Sequence, residues 1–102
     1  MKECCKAYLE EQFGGDADVM GEIYNEYVSS IKEKMTEADA ELAGGDWVAL
    51  DRTAHTVKGN ALATGDEEMA QTAISLRGAA KLQDSAQAAE LISRLKELAG
   101  TL

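Results

Sequence analysis

The only histidine of this chain, His55, has a lysine three residues later and a glycine four residues later. Residues three and four apart share one face of a helix, so Lys58 and Gly59 lie beside the imidazole if this segment is helical. A glycine inside a helix costs about 1 kcal/mol relative to alanine, which indicates that another backbone or molecule approaches closely at Gly59. His55 is therefore the candidate functional residue.

An imidazole on the flank of a helix, next to a cation, can accept a phosphoryl group. The neutral ring has a nitrogen lone pair, so it can attack phosphorus without a neighbouring base to activate it. A phosphoryl group in transfer carries negative charge on three oxygens, which a nearby ammonium stabilises. Lys58, one helical turn from His55, has the position for this role.

The spacing of apolar residues predicts five helices, over these approximate ranges: 2–13, 17–43, 46–64, 66–82 and 84–99. In the third helix the apolar residues are three and four positions apart and predict one buried stripe, formed by Trp47, Leu50, Ala54, Val57 and Ala61. His55 lies one position, or about 100°, from this stripe. We therefore expect it outside the core.

Short turns join the four longer helices, which forces neighbouring helices to run antiparallel. We predict an all-α fold, an antiparallel four-helix bundle with a short additional N-terminal helix, in a single domain over residues 1–102. Asp16 and Asp46 are expected to cap the helices that follow them. The candidate packing residues of the first helix are Ala7, Tyr8, Leu9 and Phe13.

The antiparallel arrangement brings further cations towards His55. Gly65 marks the turn between the third and fourth helices, and His55 lies ten residues before it, roughly 15 Å along the helix. Residues 75–78 of the fourth helix are at the same height and include Arg77, and Lys81 lies one turn farther. Singly, each cation could be an ordinary solvated charge. Three of the ten cations meeting at the only histidine favour an anion-binding role.

The composition argues against several functional classes. The net charge of −9 disfavours nucleic acid and anionic membrane as partners, because both bind clustered cations. No apolar run reaches the ~20 residues of a membrane span, and the N-terminus lacks the apolar core of a signal peptide, so we expect a cytoplasmic protein. Cys4 and Cys5 are adjacent, which is not the spacing of a zinc site. We expect two thiols, one of them packed inward, and no metal site.

Five positions form a spaced pattern: His55, Lys58, Gly59, Ala61 and Gly65. The pattern resembles that of the histidine-containing phosphotransfer (HPt) family. In that family a histidine is followed by a lysine three residues later, a glycine four residues later, small residues at the next turn and a glycine ten residues later. Two further segments are similar to family segments, so that the resemblance extends over nearly the whole chain: Phe13-Gly14-Gly15-Asp16 and Gly45-Asp46-Trp47.

The resemblance implies that His55 is phosphorylated, that Lys58 stabilises the phosphoryl group and that Gly59 leaves room for a partner. Family members often have a polar or charged residue 22 positions after the histidine, pointing towards the phosphoryl group. That residue is Arg77 here, and Lys81 is a second candidate cation.

Three residues near the end of the third helix depart from the family pattern. Thr64 replaces a usual apolar residue, and Asp66 replaces a common alanine. Asn60, where serine is frequent, is expected to face away from the core. Thr64 and Asp66 lie at the helix turn, so these two departures concern the local packing there and not the site around His55.

We interpret the chain as a phosphocarrier of a two-component phosphorelay. A phosphoaspartate on a receiver domain, of a response regulator or a hybrid histidine kinase, donates to His55, and a second receiver takes the group. Mg²⁺ belongs to the receiver, so we expect no cofactor on this chain. No P-loop is present, so we expect no phosphorylation from ATP and no enzyme activity. We expect a monomer.

Two alternatives remain. A helical adaptor of the same fold would bind signalling partners without being phosphorylated, although such a protein would normally lack the histidine. A metal-binding bundle needs more ligands than one histidine without a Glu-x-x-His pattern provides.

Overall fold

The computed structural model describes residues 1–102 as five helices without a strand. They are α1 (Glu3–Phe13), α2 (Ala17–Ala43), α3 (Trp47–Thr64), α4 (Glu67–Lys81) and α5 (Ser85–Ala99). Both α2 and α4 contact α3 and α5, so these four helices close into a bundle, and α1 packs against α2 and α3. The predicted all-α fold, a helical bundle with a short N-terminal helix, is confirmed.

Aspartates set where four of the five helices begin. Each carboxylate accepts a hydrogen bond of 3.1–3.3 Å from the backbone N–H three residues later, in the N-cap positions Asp16, Asp46, Asp66 and Asp84. Because the cap precedes the first helical residue, α3, α4 and α5 begin one residue later than the spacing predicts. α4 ends at Lys81, one residue earlier than predicted.

The core is one cluster to which every helix contributes. Leu50, Ala54, Val57 and Ala61 are fully buried along α3, as the stripe predicts, and Trp47 is half-buried. The largest fully buried side chains of the other helices include Leu9, Ile31, Met69, Leu76 and Leu95. None of the five helices combines the length and the apolar composition that a membrane span requires.

The packing predicted for α1 is partly wrong. Its buried residues are Cys5 and Leu9, whereas Ala7 is exposed and Phe13 is 42% exposed. The helix touches only α2 and α3, so one narrow face is covered and the face with Ala7 and Phe13 meets solvent. The prediction that one of the two thiols packs inward is confirmed, because Cys5 is buried while Cys4 is exposed.

α1 is held over the turn between α3 and α4 by a close approach at Gly65. This residue has a φ of +78°, in the left-handed region that favours glycine. A Cβ at Gly65 would lie 2.3 Å from the Cβ of Tyr8, far inside van der Waals contact. The turn ten residues after His55 therefore requires glycine both for its backbone conformation and for the packing of α1.

The same turn contains a buried carboxylate, Asp66, which is fully inaccessible to solvent. Besides capping α4, it accepts hydrogen bonds from the Lys2 ammonium at 3.0 Å and the Tyr27 hydroxyl at 2.8 Å. Tyr24 accepts a hydrogen bond from the backbone N–H of Lys2 at 3.1 Å. These contacts join the start of α1, the middle of α2 and the α3–α4 turn.

Candidate functional site

His55 lies on the exposed flank of α3, at the middle of the helix. The buried stripe of Ala54 and Val57 fixes the rotation of α3, so the residue after Ala54 must point sideways out of the core. One turn later, Lys58 is half-buried and Gly59 is exposed. The structure therefore has His55 on the flank of α3 that the buried stripe predicts.

Arg77 of α4 reaches the imidazole across the interface between α3 and α4. Its Nη1 lies 3.1 Å from Nδ1 of His55, and its Nε donates to Oδ1 of Asp51 at 2.9 Å. A guanidinium has only donors, so Nδ1 is the acceptor. The structure shows no hydrogen bond within the chain at Nε2, the nitrogen on the other side of the ring.

Asp51 is the part of the site that the sequence interpretation missed. It stands one turn before His55 on α3, and about seven-tenths of its side chain, like that of Arg77, is buried. A usable signal was present, because a residue four positions before His55 shares its helix face and meets the same stretch of α4. The alignment of the two antiparallel helices that predicts Arg77 at the level of His55 also places Asp51 near Arg77.

The other two candidate cations, Lys58 and Lys81, form no hydrogen bond with the histidine ring. Lys58 and Lys81 take part in none of the ion pairs of the chain, so both ammonium groups are available. Lys58 is next to His55 through its spacing on α3, whereas Lys81 is exposed near the end of α4. Only Arg77 forms a hydrogen bond with the ring.

Two hydrogen bonds tie α3 to α2 on either side of His55. The Thr53 hydroxyl donates to Glu41 at 2.9 Å, and the Asn60 amide donates to the Ser30 hydroxyl at 2.8 Å. Asn60 faces α2 and is half-buried. α3 is therefore fixed by α2 on one flank and by Arg77 on the other, which keeps the position of the imidazole well defined.

Gly59 has no structural requirement within the chain. A Cβ at this position would meet no atom within 4 Å apart from its own helix backbone, and its φ is not in the left-handed region. A helix glycine that neither packing nor backbone conformation requires leaves an open surface beside the ring.

A family model described as the Hpt domain matches residues 22–102 of the chain. The chain belongs to the Hpt domain family. The match covers all of α3, α4 and α5 and most of α2, while α1 and the segment Phe13–Asp16 lie outside it. Searches of curated proteins and of solved structures gave no significant match.

Hpt domains take part in histidine phosphotransfer in two-component and phosphorelay signalling, as phosphocarriers rather than as enzymes in the strict sense. This Hpt domain has one histidine, His55, which is therefore its candidate phosphoryl carrier. No cluster of three or more metal-ligating side chains occurs in it.

Exposed apolar side chains flank the histidine of this Hpt domain. Val48, His55 and Leu62 are seven residues apart and therefore line up along α3, with Val48 71% and Leu62 47% exposed. Ile74 is 44% exposed on α4, one turn before Arg77. We call Val48, His55, Gly59, Leu62 and Ile74 the histidine face. It combines a polar centre with apolar neighbours, as protein-binding surfaces often do.

Proposed function

We propose that this Hpt domain accepts a phosphoryl group on His55 from the phosphoaspartate of a receiver domain and passes it to another receiver. The observation that carries the proposal is the exposed imidazole whose Nδ1 is hydrogen-bonded to Arg77, while Nε2 has no partner within the chain. Nε2 is therefore the nitrogen that an incoming phosphorus atom can reach.

Lys58 supplies the charge that transfer requires. Its ammonium has no carboxylate partner and lies one turn from His55. The three oxygens of a phosphoryl group on Nε2 carry negative charge, which a nearby cation stabilises. Arg77 adds a second positive charge beside the ring, and Lys81 is a more distant candidate for the same role.

The histidine face supports docking of a receiver. In-line transfer requires the acceptor aspartate of the receiver to come within a few ångströms of Nε2, so the two surfaces must touch around the ring. The absence of a side chain at Gly59 permits this approach. Val48, Leu62 and Ile74 provide apolar area that a docked receiver covers.

The receiver supplies the remaining chemistry. Its aspartate is the donor or acceptor of the group, and its Mg²⁺ neutralises the charge on the phosphoryl oxygens. This chain provides the nucleophile and one or two cations, so we propose that it binds no cofactor itself. We also propose a monomer that acts in the cytoplasm, on receiver domains of response regulators or of a hybrid histidine kinase.

A panel of purified receiver domains tests the proposal. Each receiver is phosphorylated with acetyl phosphate, freed of the small donor and mixed with the Hpt domain, and the acid-labile label on each protein is followed over time. We expect rapid movement of label onto the Hpt domain from some receivers, and back again when an unlabelled receiver is added. Binding of receivers without any movement of label would instead support the adaptor function.

A further inference from the structure

Arg77 determines which nitrogen of the neutral His55 ring holds the proton. A neutral imidazole has one N–H and one in-plane lone pair, and a guanidinium can only donate. Since Nη1 lies 3.1 Å from Nδ1, the lone pair of the neutral ring is at Nδ1 and its proton is at Nε2. In this resting arrangement the outward nitrogen has no in-plane lone pair.

Asp51 keeps the guanidinium in that place. Its Oδ1 accepts from Nε of Arg77 at 2.9 Å, and the same guanidinium then presents Nη1 to His55. Both side chains are only partly exposed, at 27% for Arg77 and 29% for Asp51, so water screens the pair less than it would a fully exposed pair. Asp51 and His55 are one turn apart on α3, which allows one guanidinium to bridge them.

We propose that Asp51 is a positioning residue which, by holding Arg77 on Nδ1, keeps His55 in the tautomer that cannot attack through Nε2 and so restrains its phosphorylation. This inference deepens the proposed function and rests on it for the effect on phosphorylation. The tautomer itself is a property of the unphosphorylated protein. Asp51 does not contact the phosphoryl group and acts through Arg77.

The transfer step then requires a proton shift. Arg77 leaves Nδ1, the ring proton moves through water from Nε2 to Nδ1, and Nε2 gains the lone pair that forms the N–P bond. The bond between phosphorus and the donor oxygen breaks, and its electron pair goes to the donor carboxylate. The Nδ1 proton then passes to water. The neutral phosphorylated ring has its lone pair at Nδ1, which Arg77 can bind again.

Removal of Asp51 should therefore make His55 more reactive. In Asp51→Ala the guanidinium loses its anchor, so it spends less time on Nδ1 and becomes available to the phosphoryl oxygens. Both changes favour labelling. We expect the rate of labelling by phosphoramidate to rise about fivefold, the factor that corresponds to one ordinary hydrogen bond.

The experiment combines ¹⁵N NMR of the neutral ring with labelling by phosphoramidate. His55 is the only histidine, so its two ring nitrogens give unambiguous signals at about pH 8.5, where an imidazole is neutral. We expect the native proton on Nε2, a larger Nδ1–H fraction in Asp51→Ala with faster labelling, and partial return of both values in Asp51→Glu. Asp39→Ala removes the acid of another interhelical ion pair, with Lys96, and should match the native protein.

Three results would overturn the proposal: a native ring with its proton on Nδ1, an unchanged tautomer ratio or labelling rate in Asp51→Ala, or the same changes in Asp39→Ala. Failure of the proposed function gives a different result. In that case native His55 takes no label from any receiver, and the tautomer ratios of the native protein and Asp51→Ala still decide whether Asp51 positions Arg77.

Discussion

The Tyr27 hydroxyl donates a hydrogen bond of 2.8 Å to the buried carboxylate of Asp66, a residue 39 positions later in the chain. The Lys2 ammonium approaches the same carboxylate at 3.0 Å. A buried carboxylate is stable only when it is paired and hydrogen-bonded. The contact therefore links the packing of α1 and α2 to the turn that ends α3, the helix that contains His55.

Asp66→Ala should destabilise the domain far more than loss of an ordinary helix cap. The change leaves the Tyr27 hydroxyl without its buried partner and removes the α4 cap, so we expect a loss of about 3 kcal/mol in the free energy of unfolding. Asp84→Ala is the matched control, because Asp84 caps α5 from an exposed position, and should cost about 1 kcal/mol. Urea unfolding measures both. Equal losses would show that Asp66 acts only as a cap.

The stability of the domain should fall at alkaline pH, and Cys5 should cause the first part of the fall. Burial, with the nearby negative charges of Cys4 and Asp66, raises the pKa of the Cys5 thiol from its ordinary 9.0 to about 12. The unfolded chain therefore loses the thiol proton first as the pH passes 9, and the free energy of unfolding decreases until the native thiol ionises near 12.

This prediction is checked by urea unfolding at several pH values between about 8 and 10. Cys5→Ala should show a shallower decrease with pH than the native protein, whereas Cys4→Ala, which changes an exposed thiol, should keep most of the native slope. The raised pKa of Tyr27, caused by burial and then by its hydrogen bond to Asp66, acts in the same direction at higher pH. A Cys5→Ala variant with the native slope would contradict the prediction.

Most of the fold can be predicted from local sequence features, namely the spacing of apolar residues and the residues that cap helices. The three- and four-residue spacing around Leu50 and Val57 places His55 on a flank, and the aspartate caps set the helix starts. The burial of Asp66 could not be predicted, because its partners Lys2 and Tyr27 are distant in the chain and only the packed bundle brings them together. The exposure of Phe13 has the same origin, since it depends on how few helices α1 touches.

The turn between α4 and α5 has a backbone conformation that local sequence features do not predict. It contains no glycine, and Gln83 adopts a φ of +54° in the left-handed region, which side chains other than glycine rarely occupy. Propensity alone would not assign this conformation to Gln83. At the site, the position of Arg77 along the helix axis, level with His55, could be predicted because the rise of a helix per residue is regular. That its guanidinium forms hydrogen bonds with both Asp51 and His55 depends on side-chain rotamers, which the sequence does not specify.

Substitutions at Gly59 should distinguish docking of a receiver from the chemical reactivity of His55. Because a Cβ there meets no neighbour, Gly59→Ala should stabilise the domain by up to about 1 kcal/mol through helix propensity. Gly59→Gln should also fold, yet its side chain stands beside the ring and holds a receiver away. We expect slow transfer from a phosphorylated receiver and native labelling by phosphoramidate, which needs no docking surface.

Gly21→Gln is the control for Gly59→Gln. Gly21 is also inside a helix, a Cβ there also meets no atom within 4 Å, and it lies near the start of α2, so transfer should stay native. If Gly59→Gln slows labelling by phosphoramidate as much as transfer from the receiver, the glycine serves the local geometry of the ring. If neither reaction slows, Gly59 has no role in docking.

Lys58→Ala should slow transfer from a receiver without abolishing it. In an enclosed active site, loss of one charge-stabilising donor lowers the reaction rate on the order of 10²-fold or more, and we expect a smaller decrease in the transfer rate at this open surface. Lys32→Ala, which changes an exposed lysine of α2, is the control and should transfer at the native rate. Equal rates in the two variants would make Lys58 an ordinary solvated charge.

The most direct test of the central claim is phosphorylation of His55→Gln. Native protein and variant are incubated with the same phosphorylated receiver, acid-labile label is counted on each, and circular dichroism confirms that helical content is equal. Because His55 is the only histidine, we predict full labelling of the native protein and none of the variant. Retention of acid-labile label on His55→Gln would contradict the assignment of this residue as the phosphoryl carrier.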